Sequence, residues 1–291
     1  MSDLAVSGSR PAAAALNAPR RRRLPFSAWH LVLMPAALVM VLPLVWMIDT
    51  SFMTAAEINR YPPALIPGGL SLAGYREVLQ NSDYPRWFVN SVIVSGVVVG
   101  SQLLLCSMAG YAFARVRFVG RRVVLIALLA TLVVPFQVTV IPLFILLHDV
   151  GLIDNLAGLI VPYLTTVFGV FLLRQFFINL PVEMEEAARI DGCSQWGVFW
   201  KVMLPLSKPA LAALAVITFL DSWNNLTWPL IAITSSQNYT VQVGLTSFQS
   251  QHHVEWAAVN AADVLTTVPV FIVFIIGQKY FVQALSGAIK G

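Results

Sequence analysis

The chain alternates between long apolar runs and short polar segments, and the length of the apolar runs indicates the elements. A helix that crosses the hydrocarbon core of a bilayer needs about 20 apolar residues. Apolar runs of that length are uncommon in the core of a soluble protein. We therefore predict an all-α integral membrane protein with six transmembrane helices, at residues 29–51, 87–114, 123–147, 156–178, 207–232 and 263–283.

Composition supports a lipid environment for most of the chain. Of its 291 residues, 58% are hydrophobic and only 11% are charged. A soluble domain of this size carries about a quarter charged residues. The formal net charge of +4 does not indicate a nucleic-acid partner, because the basic residues are scattered along the flanks of the apolar runs.

The positions of the basic residues predict the orientation of the spans. With six spans, fifteen of the eighteen Lys and Arg residues fall on the side of the N-terminus, and only Arg60, Arg76 and Arg86 fall on the other. Lys and Arg are enriched in the cytoplasmic segments of membrane proteins. We therefore expect a multi-pass protein of the plasma membrane with its N- and C-termini in the cytoplasm.

The chain shows no repeat of fixed period and no soluble domain, so one membrane unit is the simplest division. Residues 1–28 are expected to form a disordered, basic, cytoplasmic N-terminus. The first span is expected to be retained, because its apolar run is too long for the core of a signal peptide. The six-span unit covers residues 29–283, with a cytoplasmic loop at 179–206 and a cytoplasmic tail at 284–291.

Polar residues inside the spans are candidates for a solute path, because in lipid they should face a protein interior or a wet cavity. Thr218, Asp221 and Asn225 fall at i, i+3 and i+7, which is one helix face. Amides beside indole rings suit sugar hydroxyls, although buried Asn and Thr often only join one helix to another. The expected path residues are Thr218, Asp221, Trp223, Asn224, Asn225 and, from a third span kinked at its prolines, Gln137.

Motifs for nucleotide binding and catalysis are absent from the sequence. The chain has no Gly-x-x-x-x-Gly-Lys-Ser/Thr loop to cradle phosphates, no His-Glu-x-x-His and no serine nucleophile elbow. His252, His253 and Glu255 lie together in a polar loop, where a surface cluster is more common than a metal site. We expect no catalytic residue, no metal site and no cofactor bound by this chain.

The cytoplasmic loop is a polar island whose residues predict two short helices with a sharp corner. Pro181 pre-sets the first helical turn, and acidic residues follow it at the positive end of the helix dipole. Glu185 and Arg189 can pair at i,i+4. Gly192 supplies a left-handed stop, and Pro205 closes the second helix.

The order of residues in this loop is more specific than its composition. Ala187 and Ala188 leave a small-residue surface that another protein could approach closely, although composition alone is equally compatible with a solvated loop. The order is Glu186-Ala-Ala, three residues, Gly192, nine residues, a β-branched aliphatic residue, one residue, then Leu-Pro. It resembles the cytoplasmic EAA loop of ABC importer permeases, which docks onto the ATPase subunit.

The resemblance extends from about residue 29 to the C-terminus. Further segments are similar to the carbohydrate class of these permeases, and most of all to the smaller six-span subunit of maltose-type importers: Gly110-Tyr-Ala-Phe-Ala-Arg115, Ile141-Pro-Leu143, Trp223-Asn224, Trp228-Pro-Leu230 and Gln278-Lys-Tyr-Phe-Val282. The resemblance implies the type I ABC importer fold in a bacterial inner membrane.

Partners and functional positions are also implied by the resemblance. The permease would form half of a heterodimeric pore with a second, homologous permease. Two ATPase subunits, which bind ATP and Mg, would lie below it, and an extracytoplasmic solute-binding protein would approach the loop at 233–262. The ATPase-coupling positions map to Glu186, Ala187, Ala188, Asp191 and Gly192, and a tail contact with the ATPase maps to Lys290 and Gly291.

The implied function is ATP-driven import of a sugar or related polar solute. A glycerol phosphate, polyol or peptide is the alternative cargo for the same machinery. An anionic solute would favour Lys or Arg in the interior of the spans, away from their ends, where this chain offers none, although its partner permease could supply them. A secondary transporter or channel would explain six spans and a central acidic residue, but it would leave the Glu-Ala-Ala corner without a role.

Overall fold

The computed structural model describes residues 29–62, 64, 66–249 and 255–289, with side chains as far as residue 278. The secondary-structure elements of this part of the chain are all helices, as predicted. The first half contains α1 (His30–Ser51), α2 (Ala55–Ile58), α3 (Ala73–Gln80), α4 (Tyr84–Arg115), α5 (Arg121–Thr131), α6 (Phe136–Asp149), α7 (Leu156–Ile160), which a 3-10 turn extends to Tyr163, and α8 (Val167–Asn179).

The second half begins with the polar segment at 179–206 and ends with a long apolar helix. The chain divides after Val45 into two compact units, the first containing most of α1 and the second all later elements. The later helices are α9 (Glu183–Ile190), α10 (Gln195–Val198) with a π-helical turn at Phe199–Met203, α11 (Leu204–Leu206), α12 (Lys208–Trp223), α13 (Thr227–Ala232), α14 (Val241–Ser247) and α15 (Trp256–Ile289).

Membrane spans are formed both by single helices and by bent pairs. In the described residues, α1, α4 and the Trp256–Gln278 part of α15 are each long and apolar enough to cross a bilayer. Three further candidates are pairs of helices: α5 with α6, bent by 101°, α7 with α8, bent by 40°, and the α10–α11 segment with α12, bent by 74°. If each pair crosses once, the total is the predicted six.

The third span differs from the single kinked helix that the sequence suggested. α5 ends at Thr131 and α6 starts only at Phe136, so the chain turns through a true break. Pro135 explains the position of the break, because proline lacks the amide hydrogen and disfavours helical backbone in the preceding residue. Pro142 lies inside α6, which continues past it to Asp149.

The fifth span also departs from the prediction of one continuous helix over 207–232. α12 ends at Trp223, and Asn224 is its C-terminal cap. Asn225 lies in the break, where its Oδ1 accepts a 3.3 Å hydrogen bond from the amide of Trp228. Such side-chain acceptance competes with helical backbone bonds and favours a helix start. Asn225 therefore does not share a helix face with Thr218, as had been expected.

The segment at 233–262 is more ordered than the predicted loop. It contains α14, and α15 begins at Trp256 rather than at 263. α3 packs on this early part of α15 so closely that a Cβ atom at Gly74 would meet the carbonyl oxygen of Ala257 at 2.3 Å. Outer segments of the chain are thus packed onto the spans.

The core is built around α4, which packs against α8 and α12. Near the C-terminal ends of α4 and α8, buried side chains from these helices and from the segment after α10 form one cluster that includes Tyr111, Phe177, Phe199 and Met203. Gly110 permits the close approach of α4 and α8, since a Cβ atom there would meet backbone atoms of α8 at about 3 Å. The segment at 179–206 is packed against this cluster through residues such as Ala188 and Val198.

Candidate coupling corner and polar path

The polar segment at 179–206 folds into the predicted corner of two helices. α9 has three glutamates in its first turn, at the positive end of its dipole. Gly192 adopts a φ of +83°, and its amide donates to the carbonyl of Arg189 while the amide of Cys193 donates to that of Ala188, both at 3.0 Å. These bonds close the helix, and Ser194 caps α10. The left-handed stop at Gly192 is confirmed.

The expected coupling positions do not all lie on the surface. Glu186, Ala187, Asp191 and Gly192 are exposed. Ala188 is buried and belongs to the core cluster that includes Tyr111 and Phe177. The prediction that both alanines form an outer surface is therefore wrong for Ala188, which lies on the same inner face of α9 as Glu185, three residues earlier. The small side chain of Ala188 lets α9 pack closely on the cluster formed by α4 and α8.

Large apolar side chains surround the exposed corner positions. Ile190 is 87% exposed, and Trp196 is 60% exposed. Such residues are normally buried by a partner when they cluster. We call the following set the corner surface: Met184, Glu186, Ala187, Ile190, Asp191 and Trp196.

An ion pair that the sequence analysis missed holds α9 on the spans. The Nε atom of Arg115, at the end of α4, lies 3.1 Å from Oε1 of Glu185, and both side chains are largely buried. The guanidinium of Arg115 also donates to the carbonyls of Phe177 and Leu180 at the end of α8. A basic residue at the end of one span and acidic residues in a later loop were the only signals in the sequence.

A second arginine, Arg189, lies close to the carboxylate of Glu185. Arg189 lies 3.6 Å from Oε2 of Glu185, which confirms the predicted i,i+4 pair. Arg189 also donates to Oε1 of Gln195 at 3.0 Å, and Gln195 donates to the hydroxyl of Tyr111 at 2.9 Å. α9, α10 and α4 are thereby joined through polar side chains above the apolar cluster.

Thr218, expected on a solute path, instead joins helices. Its hydroxyl donates to Oε1 of Gln102 at 2.8 Å, and Nε2 of Gln102 donates to the carbonyl of Tyr163 at 2.9 Å. Thr218 and Gln102 are both buried. The geometry therefore favours the alternative of helix–helix bonding for this residue.

Trp223 also lies in the core rather than on an open surface. Its side chain is 1% exposed, its Nε1 donates to the carbonyl of Thr266 at 3.1 Å, and its ring stacks on Phe219. A buried indole with a satisfied N–H contributes to packing. The expectation that Trp223 offers a platform to a solute is not supported by this arrangement.

The remaining polar residues of this region are more accessible. Asp221 and Asn224 are exposed, and Oδ1 of Asn224 accepts a 3.4 Å hydrogen bond from Gln242 of α14. Asp221 and Asn225 line a narrow cleft together with Tyr163. Gln242 was not a candidate in the sequence, because a polar residue in an outer loop gave no sign of reaching the fifth span.

Gln137 is exposed in the first turn of α6 and does not line this cleft. The structure thus brings Asp221, Asn224 and Asn225 to one region, with Thr218 and Trp223 buried behind them. Lys290 and Gly291, the expected tail contact, lie outside the described residues. Within the residues described, no group of three His, Cys, Asp or Glu side chains is close enough to hold a metal ion.

Away from the corner, the carboxylate of Asp154 binds the turn that follows α13, and we call this contact the Asp154 clasp. Its Oδ1 accepts from the amides of Thr234 and Ser235 at 3.1 and 2.9 Å, and its Oδ2 accepts from the Ser235 hydroxyl. Hydrogen bonds from the hydroxyl and amide of Ser235, together with the amide of Thr234, lower the pKa of Asp154 from 3.8 to about 2. This clasp joins the α6–α7 turn to the segment that leads to α14.

Comparison with known sequences agrees with this arrangement of helices. Residues 103–287 match the family described as "Binding-protein-dependent transport system inner membrane component". The arabinooligosaccharides transport system permease protein AraQ of Halalkalibacterium halodurans is 37% identical over 278 residues, covering 94% of this chain and 100% of that protein. The lactose transport system permease protein LacG of Rhizobium radiobacter is 33% identical, covering 93% and 98%.

A third relative has a different solute in its name, and a solved structure has the same fold. The sn-glycerol-3-phosphate transport system permease protein UgpE of Brucella abortus is 30% identical, covering 88% of this chain and 94% of that protein. A chain in the crystal structure of a bacterial ABC transporter involved in alginate import superposes with a TM-score of 0.77 and 24% identity, covering 88% of this chain and 99% of that one. The chain therefore belongs to the inner membrane components of binding-protein-dependent transport systems, the permease subunits of ABC importers.

Proposed function

We propose that this permease forms half of a heterodimeric pore that imports a neutral sugar, driven by two ATPase subunits docked on its corner surface. The observation that carries the proposal is the corner itself, a short helix held rigidly against the spans with large apolar side chains facing outward. Ile190 and Trp196 are the most exposed of them. Because the sequence has no phosphate-binding loop, the energy for transport must come from a partner.

The orientation of the chain supports this docking site. The excess of Lys and Arg on the side of the N-terminus puts the corner surface in the cytoplasm, where ATP is available. The acidic side chain of Glu186 and the apolar side chain of Ile190 suit a partner cleft with an apolar floor and a basic rim. A tail contact through Lys290 and Gly291 belongs to the same proposal.

The proposed mechanism uses α9 as a coupling helix. Closure of the two ATPases on ATP moves α9 as a rigid body, and the spans then rock from an inward-facing to an outward-facing state. The cavity opens to the docked binding protein, receives the solute, and reverts after hydrolysis. The stiff turn at Gly192 serves this role, because a loop that melted would not transmit the movement.

The cargo is argued from the accessible polar residues. Asp221, Asn224 and Gln242 offer hydrogen-bond donors and acceptors without a cation, and no Lys or Arg lines the neighbouring cleft. Sugar hydroxyls both donate and accept hydrogen bonds, so they fit amide and carboxylate groups. The names of AraQ and LacG, which refer to oligosaccharide and lactose transport, support the same class.

Glycerol phosphate is the second candidate cargo, and the similarity to UgpE favours it. A phosphate group would normally meet Arg, Lys or helix N-termini. Asp221 would instead repel it, unless the partner permease supplied the positive charge. The neutral sugar is therefore preferred, and polyols or peptides follow as further alternatives.

The extracytoplasmic end is proposed to meet the solute-binding protein. The turn held by Asp154 and the segment leading to α14 lie at this end, next to Gln242. A solved relative of the same fold, at a TM-score of 0.60 and 14% identity, is an alginate transporter in complex with a pentasaccharide-bound periplasmic protein. A rigid outer turn would give such a protein a fixed surface.

The decisive experiment is purification of the full transporter with tagged permease, followed by reconstitution in proteoliposomes. We expect the ATPase and a second permease to co-purify. Hydrolysis should rise on addition of the cognate binding protein loaded with a neutral oligosaccharide, but not when it is offered glycerol 3-phosphate. Permease that purifies without an ATPase would contradict the proposal. Stimulation of ATP hydrolysis by glycerol 3-phosphate alone would instead identify the second candidate, glycerol phosphate, as the cargo.

A further inference from the structure

One buried guanidinium connects three helices at the cytoplasmic end. Arg115 is the last residue of α4. It donates to the carbonyl of Phe177 from Nε at 3.2 Å and from Nη2 at 2.7 Å, and to the carbonyl of Leu180. Those carbonyls lie at the end of α8, where they lack helical partners. The same guanidinium faces Glu185 of α9.

The carboxylate on the other side is equally enclosed. The side chain of Glu185 is 5% exposed, and its two oxygens face Arg115 and Arg189 at 3.1 and 3.6 Å. Glu185 therefore lies between a span and the outer part of its own helix. Glu183 and Glu186, in the same first turn, are exposed instead, so helix-dipole stabilisation does not require a third, buried carboxylate.

The two helices that Arg115 contacts, α4 and α8, are also joined directly to each other. Arg174 of α8 donates to the carbonyl of Phe113 in α4 at 3.3 Å, which reciprocates the bonds from Arg115 to the end of α8. The contact at Gly110 brings the two backbones close together. A force applied to Arg115 is thus delivered to α4 and α8 together.

A buried ion pair is a poor source of stability, because removing two charges from water costs several kcal/mol. Two apolar side chains of similar size would hold α9 on the spans at least as well, but their non-directional contact would let α9 slide along α4 and α8. The directional bonds of the Arg115 guanidinium to the carbonyls of Phe177 and Leu180 define how α4 lies on α8. The charge of the same guanidinium then holds the Glu185 carboxylate, whose Oε1 lies 3.1 Å from Nε but accepts no hydrogen bond. The arrangement therefore suits a joint that must keep its geometry while it carries a load.

We propose that Arg115 and Glu185 form the joint through which movement of α9 is transmitted to α4 and α8. This inference rests on the proposed function, since it presumes that an ATPase moves α9. Arg115 and Glu185 are positioning residues, which bind neither solute nor nucleotide. Loss of the joint leaves the corner surface able to dock but no longer able to move the spans in register.

The test uses the complete transporter in proteoliposomes and measures solute imported per ATP hydrolysed. Arg115→Gln and Glu185→Gln each remove one charge, and the double variant removes both. Arg122→Gln and Glu183→Gln are matched controls, because both residues are exposed nearby and lie outside the joint. We expect the single variants to retain the ATPase and to lose about tenfold in solute per ATP. The double variant should lose no more than the worse single one, as coupled residues do.

Arg115→Lys separates coupling from folding. Lysine keeps the charge toward Glu185 but cannot serve that carboxylate and the α8 carbonyls together. We expect a complex that assembles normally and loses about threefold in solute per ATP. The proposal is overturned if assembled variants couple like the wild type, if the controls lose as much, or if Arg115→Lys fails to assemble. Absence of ATPase from the wild-type preparation would instead overturn the proposed function.

Discussion

The hydroxyl of Thr218 donates a 2.8 Å hydrogen bond to Oε1 of Gln102, two residues that are 116 positions apart in the chain. The polar residues of the fifth span fall into two groups according to whether their polar atoms are bonded within the protein or exposed. Thr218 and Trp223 satisfy their polar atoms within helix contacts, whereas Asp221 and Asn224 remain exposed. Structural and transport roles should therefore be separable by mutation.

Thr218→Val keeps the shape of the side chain and removes its hydroxyl, so Oε1 of Gln102 loses the group that donates a hydrogen bond to it. Interhelical hydrogen bonds in membrane proteins contribute about 0.6 kcal/mol on average. We expect the complex to lose stability by about that amount in thermal unfolding, with the KM for solute unchanged. An altered KM at unchanged stability would return Thr218 to the solute path.

Asn224→Ala removes an exposed amide beside Asp221 and Gln242. If this group hydrogen-bonds the solute, its loss costs about 1–2 kcal/mol of binding, or roughly tenfold in uptake efficiency. Initial uptake rates in proteoliposomes measure the effect, while ATPase binding should not change. Asn59→Ala serves as the control, because Asn59 is an exposed helix cap that does not line the cleft of Asp221 and Asn225. Equal uptake by both variants would assign Asn224 to packing.

Sequence patterns predicted the parts of the fold that depend on local chemistry. Gly192 stops α9 in the left-handed region because few other residues tolerate it, and Glu185 pairs with Arg189 because of helical spacing alone. The break at Asn225 was missed, although Pro229 shortly after it was a usable sign. A long apolar run hides such breaks, since its hydrophobicity is the same for a straight helix and a broken one.

Contacts between distant segments could not be predicted. Arg115 and Glu185 are 70 positions apart, and several arginines flank the same span, so nothing in the sequence selects the pair. The burial of Ala188 was equally hidden, because alanine suits both an inner face and an outer one. Asp154 gave no signal at all, since the donors that its carboxylate meets in the later turn depend on how distant segments pack.

Ile190→Ser tests the corner surface as a docking site. Ile190 is 87% exposed in the isolated chain, and a large apolar residue buried by a partner contributes about 1–3 kcal/mol. We expect the dissociation constant for the isolated ATPase to rise about tenfold or more. Val119→Ser is the control, since Val119 is a fully exposed apolar residue in the turn before α5, outside the corner surface. A similar loss in both variants would contradict a specific docking role for Ile190.

Asp154→Asn tests the clasp at the outer end. A carboxylate with a lowered pKa stabilises the folded state fully above its usual pKa of 3.8, and this contribution is lost as the pH falls toward about 2. Between pH 5 and 8 the wild-type clasp should therefore not vary. The variant should unfold about 2–4 °C lower throughout that range, equivalent to ~1 kcal/mol. Asp149→Asn, at a more exposed carboxylate, should cause less change, and a wild-type clasp that weakens already at pH 6 would contradict the account.

The central claim, that the corner couples the permease to an ATPase, is tested most directly by uptake in Gly192→Val. Gly192 and Gly120 have nearly the same φ, +83° and +82°, and a Cβ atom at either would meet nothing within 4 Å. Valine strains the backbone equally at both, so Gly120→Val is a matched control in the turn before α5. We predict normal amounts of Gly192→Val permease in the membrane with no ATP-driven uptake, and substantial uptake by Gly120→Val. Normal uptake by Gly192→Val would contradict the account.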